Sequence, residues 1–468
     1  MGGLFGVTLK NDCVNDLFYG TDYHSHLGTR RGGLAVKNSQ GFRRSIHNIE
    51  NNYFRSKFEA DISKFNGRHG IGVISDTEPQ PLLVGSHLGN FGIVTVGRIN
   101  NMETLIKRAH GNRQHFSETT GEGEINPTEL VSMLICEEDS VESGLAKAQE
   151  LVQGSCSILL LTHEGIYAAR DRLGRTPIIL GRKPDGFAAT SESSAFANLG
   201  YMIDRFLGPG EIVLITPEGY RQLKKPGDAM QICAFLWVYY GYPASEYEGI
   251  NVEFTRNRCG EALAENDTLD IDCVAGIPDS GIGHAIGYAN RRKIPYTRPF
   301  VKYTPTWPRS FMPQNQETRD LVARMKLIPI RKLIEGKKIL FCEDSIVRGT
   351  QLKDNIEILF DVGAKEVHMR PACPTLIYPC EFINFSTSRS TLDLAGRKVI
   401  NRIEDGRETD ISPYARTGSR QNQMMVEAIG KQLKLTSLKY QKLEDLVGAI
   451  GLPKEKLCTH CWDGSSYF

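Results

Sequence analysis

Between about residues 3 and 222, apolar and polar positions alternate over short runs broken by turn residues, which is the two-residue period of half-buried strands. Leu4-Phe5-Gly6-Val7 and residues 92–96 predict strands, residues 155–162 and 165–170 a hairpin around His163-Glu164, and residues 208–215 a turn and strand. Two helical stretches are expected among them. Residues 217–226 read as turn and linker, and from about Ile232 the pattern becomes that of an α/β unit. A helix is predicted over residues 253–265, and residues 273–285 run strand, tight turn, helix. Residues 337–352 repeat that order. The helix after them carries Leu352, Ile356, Leu359 and Phe360 on one face, ends near Gly363 and leads to a strand around Val367 and Met369, so this is a βαβ unit. Two more helices are expected at residues 421–435 and 440–450.

The segment KKILFCEDSIVRGTQL is the most informative. A buried strand of Ile339, Leu340, Phe341 and Cys342 meets the acids Glu343 and Asp344, then a turn of small and polar residues, 345–350, that opens a helix. Free backbone N–H groups at such a turn, together with the helix dipole, surround a phosphate. Gly349 lets the backbone approach closely, and Thr350 is expected to cap the helix. Two carboxylates beside a phosphate repel it unless they hold something else, and sugar hydroxyls or a magnesium ion would serve.

A chain of 468 residues suggests more than one core. A net charge of +1 with interspersed acids and bases gives no sign of nucleic acid or a membrane surface. No apolar run is long enough to span a bilayer, the start lacks a signal-peptide pattern, and Gly6 stands where myristoylation needs Ser or Thr. A soluble cytoplasmic protein is expected. Eleven scattered cysteines argue against a disulfide framework, and Cys136, Cys156, Cys259 and Cys273 read as core thiols.

The run Glu343-Asp344-Ser345-Ile346-Val347-Arg348-Gly349-Thr350 resembles the phosphoribosyl pyrophosphate (PRPP) loop of type I phosphoribosyltransferases, and in detail that of the glutamine PRPP amidotransferase family. The family has two aspartates where this chain has Glu343 and Asp344. Asp279-Ser280-Gly281 is similar to its pyrophosphate loop, a weak motif alone and a strong one beside the other. Residues 302–316, rich in Pro, polar and aromatic residues, match its mobile lid, with Lys302, Arg309, Arg324 and Lys326 at its basic positions. Upstream, Gly3-Leu4-Phe5-Gly6-Val7, Ala168-Ala169-Arg170-Asp171 with Gly174 and Pro177, and Ser191-Glu192 resemble the glutaminase domain of N-terminal nucleophile amidotransferases.

The resemblance implies an α+β glutaminase-like domain of αββα type over residues 1–230, an α/β type I phosphoribosyltransferase domain over 231–430, and helices with a tail over 431–468. The glutaminase chemistry departs from the family. Its nucleophile is an N-terminal cysteine whose own amine is the base, and Gly2 stands there. The segment with its substrate-binding arginine aligns with Val73-Ile74-Ser75-Asp76-Thr77-Glu78, and its Asn-Gly oxyanion pair roughly with Arg98-Ile99. A silent glutaminase is expected, leaving either a structural partner or a new small-molecule pocket.

Cys458-Thr-His-Cys461 alone could bind zinc, serve redox or do nothing. Some members of the family hold a [4Fe–4S] cluster through a cysteine at the domain junction, one after Tyr-Pro, and a C-terminal C-x-x-C. Cys233, Cys380 after Tyr378-Pro379, Cys458 and Cys461 match all four. The resemblance thus implies formation of 5-phosphoribosylamine and pyrophosphate from PRPP, with ammonia as the expected donor. Glu343, Asp344, Lys326 and Arg309 are the expected catalytic residues. Asp279, Ser280, Gly281, Lys302 and residues 345–350 would bind PRPP, with Ser280, Glu343 and Asp344 also serving Mg2+. Nucleotide inhibitors and a homo-oligomer, commonly a tetramer, are implied as well. The alternative is a silent regulatory protein that binds PRPP or nucleotides.

Overall fold

A computed structural model describes residues 2–111, 115–119, 123–303, 327–383 and 391–465. Two antiparallel sheets fill the chain as far as Lys224. The seven-stranded sheet runs Met202–Phe206, Ile179–Lys183, Gly186–Thr190, Gly3–Leu9, His69–Ser75, Arg31–Asn38, Gly41–Asn48. The six-stranded sheet runs Gly219–Lys224, Ile212–Thr216, Ile166–Ala169, Gly154–Leu161, Gly89–Ile99, Leu82–Ser86.

The Gly3–Leu9 strand shows why these sheets stack. Leu4 points between the sheets onto Val94, Leu159 and Ala168, while Phe5, Val7 and Leu9 face the opposite way, beneath the Val14–Asp22 helix. Both faces are buried, so a strand that reads as alternating is in fact apolar on one side and small or apolar on the other. Leu130, Leu134 and Leu145 of two further helices cover the outer face of the second sheet, which completes four layers, helix–sheet–sheet–helix.

The predicted hairpin is present, Gly154–Leu161 against Ile166–Ala169. Helices are more numerous than expected: six among the described residues of this region rather than two, Val14–Asp22, Phe54–Ile62, Met102–Gly111, Pro127–Ile135, Val141–Leu151 and Ser194–Leu199. None exceeds 11 residues, too short for a 3.6-residue period to stand out. Their beginnings are marked instead by caps such as Asn126, whose side chain accepts from the Thr128 and Glu129 N–H groups.

The second half is built on a parallel sheet, Cys273–Gly276, Lys338–Glu343, Glu366–Pro371 and Ser437–Leu438. Its registers pair Gly276 with Cys342 and Glu343 with Pro371, so the loops after the first two strands leave the same edge, side by side. That edge is where open α/β sheets bind ligands. Leu352, Ile356 and Leu359 of the Thr350–Asp361 helix are buried on the sheet as the pattern predicted. The two halves share one apolar cluster, in which Phe5, Val7 and Phe54 join Phe235, Trp237, Leu446 and Trp462. No described helix is long and apolar enough to cross a membrane, and all eleven cysteines are free.

Candidate active site and four-cysteine centre

At the shared sheet edge the two predicted loops are packed onto each other by glycines. A Cβ on Gly276 would stand 2.6 Å from backbone atoms of Gly281, and one on Gly281 would stand 2.3 Å from the Cys342 carbonyl oxygen. Backbone bonds add to the contact, the Ile277 N–H donating to the Cys342 carbonyl at 3.0 Å and the Gly281 N–H to the Ile277 carbonyl at 2.9 Å. Side chains at either glycine would push the loops apart. Asp279, Ser280 and Gly281 thereby stand directly before the Ile282–Arg292 helix, with the Pro278–Asp279 peptide cis.

The acids meet this loop. The Ser280 hydroxyl donates to Glu343 Oε1 at 3.3 Å, the same oxygen takes the Asp344 N–H at 3.2 Å, and Ser345 Oγ donates to Asp344 Oδ1 at 2.5 Å. Burial and the adjacent Asp344 carboxylate push Glu343 well above the usual carboxylate range, with the Asp344 N–H and Ser280 hydroxyl pulling the other way. A cation beside Glu343 would favour its charged form. Mg2+ commonly takes one or two carboxylates and completes its shell with water and substrate phosphates, and Glu343, Asp344 and Ser280 fit that partial set.

Ile346 is buried, Val347 is half-buried with its carbonyl accepting the Ala395 N–H at 2.7 Å, and Arg348 is exposed, 3.7 Å from Asp393. Gly349, at φ +75°, is the residue that turns the loop into the helix. Thr350 does not cap, contrary to expectation: it is the first helical residue and exposed, because the left-handed turn at Gly349 already occupies the capping position. Lys302 reaches back to Asp279, Nζ to Oδ2 2.6 Å, across the first loop. Arg309, Arg324 and Lys326, and the lid expected from residue 304 onward, lie outside the described residues.

In the first half the position aligned with the family's nucleophile is closely packed. Gly2 is buried, and a Cβ on it would stand 2.4 Å from the Ile74 carbonyl oxygen and 3.4 Å from Val96 Cγ2. The segment aligned with the family's substrate-binding arginine is occupied by internal bonds. Glu78 Oε1 accepts from Gln80 Nε2 at 2.6 Å and Thr128 Oγ1 at 3.2 Å, Asp76 accepts the Thr29 N–H at 2.6 Å, and the Thr77 N–H donates to Ser75 Oγ at 3.2 Å. Gln80 in turn exchanges two bonds with the backbone of Thr95. Arg98 reaches out of the first half, its Nη1 donating to the Cys380 carbonyl at 3.0 Å.

The four expected cysteines converge. Ile232–Cys233 pairs in parallel with Leu457–Cys458, which sets Cys233 beside Cys458. The Ile377 and Tyr378 N–H groups both donate to the Cys461 carbonyl, at 3.0 and 3.1 Å, tying the Tyr-Pro-Cys380 segment to the C-x-x-C. All four thiols line one small pocket with Arg175, Phe235, Phe382, Ile383 and Trp462. Burial and the neighbouring thiols push Cys233 up. Its bond with Cys380, then burial, does the same to Cys461. Among the described residues no group of three or more His, Cys, Asp or Glu side chains is gathered as a single-ion site. Four thiols from three chain segments, in an apolar pocket with no carboxylate, suit an iron–sulfur cluster, whose ligands stand farther apart than the sulfurs around one ion.

Arg175 and Arg256 escaped the reading of the sequence, and Arg98 was noticed there only as the residue aligned with the oxyanion pair. Arg98 and Arg175 act across the chain's two halves, and Arg256, buried, donates to the carbonyls of Trp237, Tyr239 and Gly241 at 2.8–3.1 Å. Arg175 belongs to the Asp171-to-Pro177 turn already noticed for its Gly and Pro, which was the available signal.

Comparison with known proteins follows this geometry. A family model for the glutamine amidotransferase domain matches residues 66–198. The amidophosphoribosyltransferase of Methanocaldococcus jannaschii is 28% identical over 99% of this chain and 97% of its own length. That of Archaeoglobus fulgidus is 32% identical over 69% of this chain and 71% of its own. Among solved structures, the glutamine PRPP amidotransferase of Bacillus subtilis complexed with ADP and GMP superposes with a TM-score of 0.84, at 26% identity over 99% of this chain and 96% of that one. Both halves described above are therefore those of a glutamine amidotransferase domain joined to a phosphoribosyltransferase domain.

Proposed function

This chain belongs to the amidophosphoribosyltransferase family of purine biosynthesis, and from that premise we propose that it makes 5-phosphoribosylamine from PRPP and ammonia, without a glutaminase step. The observation that carries the proposal is at Gly2, where there is neither a side chain to attack glutamine nor room for one, the Ile74 carbonyl standing 2.4 Å from where a Cβ would be. The filled segment around Glu78 and the outward turn of Arg98 support the same reading. The phosphoribosyl half, in contrast, keeps both loops.

In this reading residues 1–230 are the silent glutaminase-like domain, 231–430 the phosphoribosyltransferase and 431–468 the helices and cluster tail of a cytoplasmic enzyme. The backbone N–H groups of residues 345–350 hold the 5-phosphate at the start of the Thr350–Asp361 helix, while Asp279, Ser280 and Gly281 hold the pyrophosphate. Glu343 and Asp344 hold the ribose hydroxyls or Mg2+ as the C1–oxygen bond breaks and ammonia's lone pair forms the C1–nitrogen bond. The nitrogen then sheds a proton to water. Ser280, Glu343 and Asp344 would hold Mg2+, which would supply positive charge against that of the departing pyrophosphate. Lys302, with Arg309 and Lys326 of the lid segment, adds positive charge over the same group. Cys233, Cys380, Cys458 and Cys461 hold a [4Fe–4S] cluster that joins the tail to both domains. Purine nucleotides, as found in the B. subtilis relative, are the inhibitors to try, and a homo-oligomer the assembly to look for.

Pyrophosphate release from PRPP and Mg2+ by anaerobically purified protein tests the proposal. Turnover with ammonium at raised pH, and none above background with glutamine, is the expected result. Release with glutamine at the ammonium rate would overturn it, and PRPP binding without turnover would leave a regulatory binding protein in its place.

A further inference from the structure

Buried among the four cysteines is a cation. Arg175 is 1% exposed and lines their pocket. Its Nη1 donates to the Gly154 carbonyl at 2.9 Å and its Nη2 to Gln231 Oε1 at 3.1 Å, and its guanidinium lies 3.8 Å over the Phe382 ring. Its own carbonyl accepts the Cys233 N–H at 3.4 Å, so the residue also steadies a ligand-bearing strand. We infer that Arg175 is the counter-charge of the four-cysteine centre and raises the reduction potential of the cluster those cysteines hold. The inference rests on the cluster reading above.

A guanidinium taken out of water is costly unless negative charge stands beside it. Negative charge beside Arg175 comes from Asp171, a buried carboxylate of the same turn, and, once a cluster is held, from the cysteines whose pocket it lines. Four thiolates around a cluster core leave net negative charge that grows on reduction. A fixed cation at the sulfurs favours the more negative, reduced state, and net charge and hydrogen bonds to sulfur are the levers that set such potentials. The planar guanidinium is also held by an aromatic face, a contact that lysine reproduces less well.

The test uses the full chain, purified and handled without oxygen. Iron and sulfide content come first: without them in the parent, the cluster reading fails, and with it the inference. With them present, potentiometric titration followed by visible and electron paramagnetic resonance spectra compares the parent with Arg175→Lys, Arg175→Gln and Arg175→Met. The expected result is a lower potential in R175Q and R175M at unchanged iron content, with R175K nearer the parent. Should R175M hold no iron, retention in R175K with loss in R175Q supports the inference. Equal potentials in parent and R175Q, or R175K behaving as R175M does, would overturn it while leaving the cluster in place.

Discussion

At the start of the Gly3–Leu9 strand, backbone from the next strand lies 2.4 Å from where a side chain on Gly2 would begin. At the end of the Lys338–Glu343 strand, two serines and two acids converge at 2.5–3.3 Å beside a glycine at φ +75° and a helix start. One strand begins where a side chain has no room and the other ends in a cluster of polar groups, within a single continuous core. The difference teaches that scaffold and chemistry are held by different atoms. The first half keeps its four layers because Leu4, Val94, Leu159 and Ala168 pack between the sheets, none of which touches glutamine chemistry. The loops after the parallel strands keep their shape through Gly276 and Gly281, whose close approach sets the polar groups side by side, so there fold and proposed site stand or fall together.

The comparison is sharpened most by removing charge from the polar cluster. Asp344→Asn should lower pyrophosphate release with ammonium by about 100-fold or more, the usual cost of losing a group aimed at developing charge, while leaving the thermal transition in place. Glu343→Gln should cost less, since that carboxyl is already pushed toward its neutral form. Equal losses would argue against that asymmetry.

Next in size is the response to acid, followed here at a fully buried histidine from each half. His24, against Gly3, is lowered to about 4 and His284 to about 3, both mainly by burial. Both folded values lie below the unfolded value of 6.5, so the unfolded chain binds the extra protons. Their stabilisation is complete above about pH 6.5 and is lost as pH falls, by roughly 1.4 kcal/mol per unit for each neutral histidine. The loss stops near pH 4 for His24 and continues toward pH 3 for His284. Urea unfolding at pH 7, 5.5 and 4.5 checks this. A His24→Gln variant with an unchanged slope would contradict the assignment.

Restoring the nucleophile should fail. Gly2→Cys, even with its amine exposed by processing of Met1, is expected to give no glutamate from glutamine and to cost about 1–3 kcal/mol of stability, as overpacking does. Measurable glutaminase activity would show the start of the first strand to be less closely packed than Gly2 indicates. The smallest effect is at the link between the halves. Arg98→Ala removes one bond from an exposed arginine to the Cys380 carbonyl and should cost about 0.5–1 kcal/mol, together with faster loss of iron in air; an unchanged iron half-life would remove Arg98 from that role.

Much of the polar cluster was legible because its signals are local. Strand, acids, glycine and helix follow one another over residues 337–352, and the glycine-rich turn after Cys273 repeats the order. The thiols were found by their neighbours, Tyr378-Pro379 and the C-x-x-C, before the pairing of Cys233 with Cys458 brought them together. Arg98 and Arg175 were not legible in their roles, since their partners lie across the sheet interface and nothing near them in sequence marks it. The short helices of the first half were under-counted because 6 to 11 residues hold too few turns for a period, and Thr350 was taken for a cap because a glycine in the left-handed region does that work without a side chain.

The proposal that the first half is silent and the second active is tested most directly by the origin of the product's nitrogen. Protein, PRPP and Mg2+ are mixed with 15N-labelled ammonium and an excess of unlabelled glutamine, and the phosphoribosylamine is trapped for mass spectrometry. The account predicts that the product carries 15N in full, whatever the glutamine concentration. Product nitrogen that becomes unlabelled as glutamine rises would contradict it.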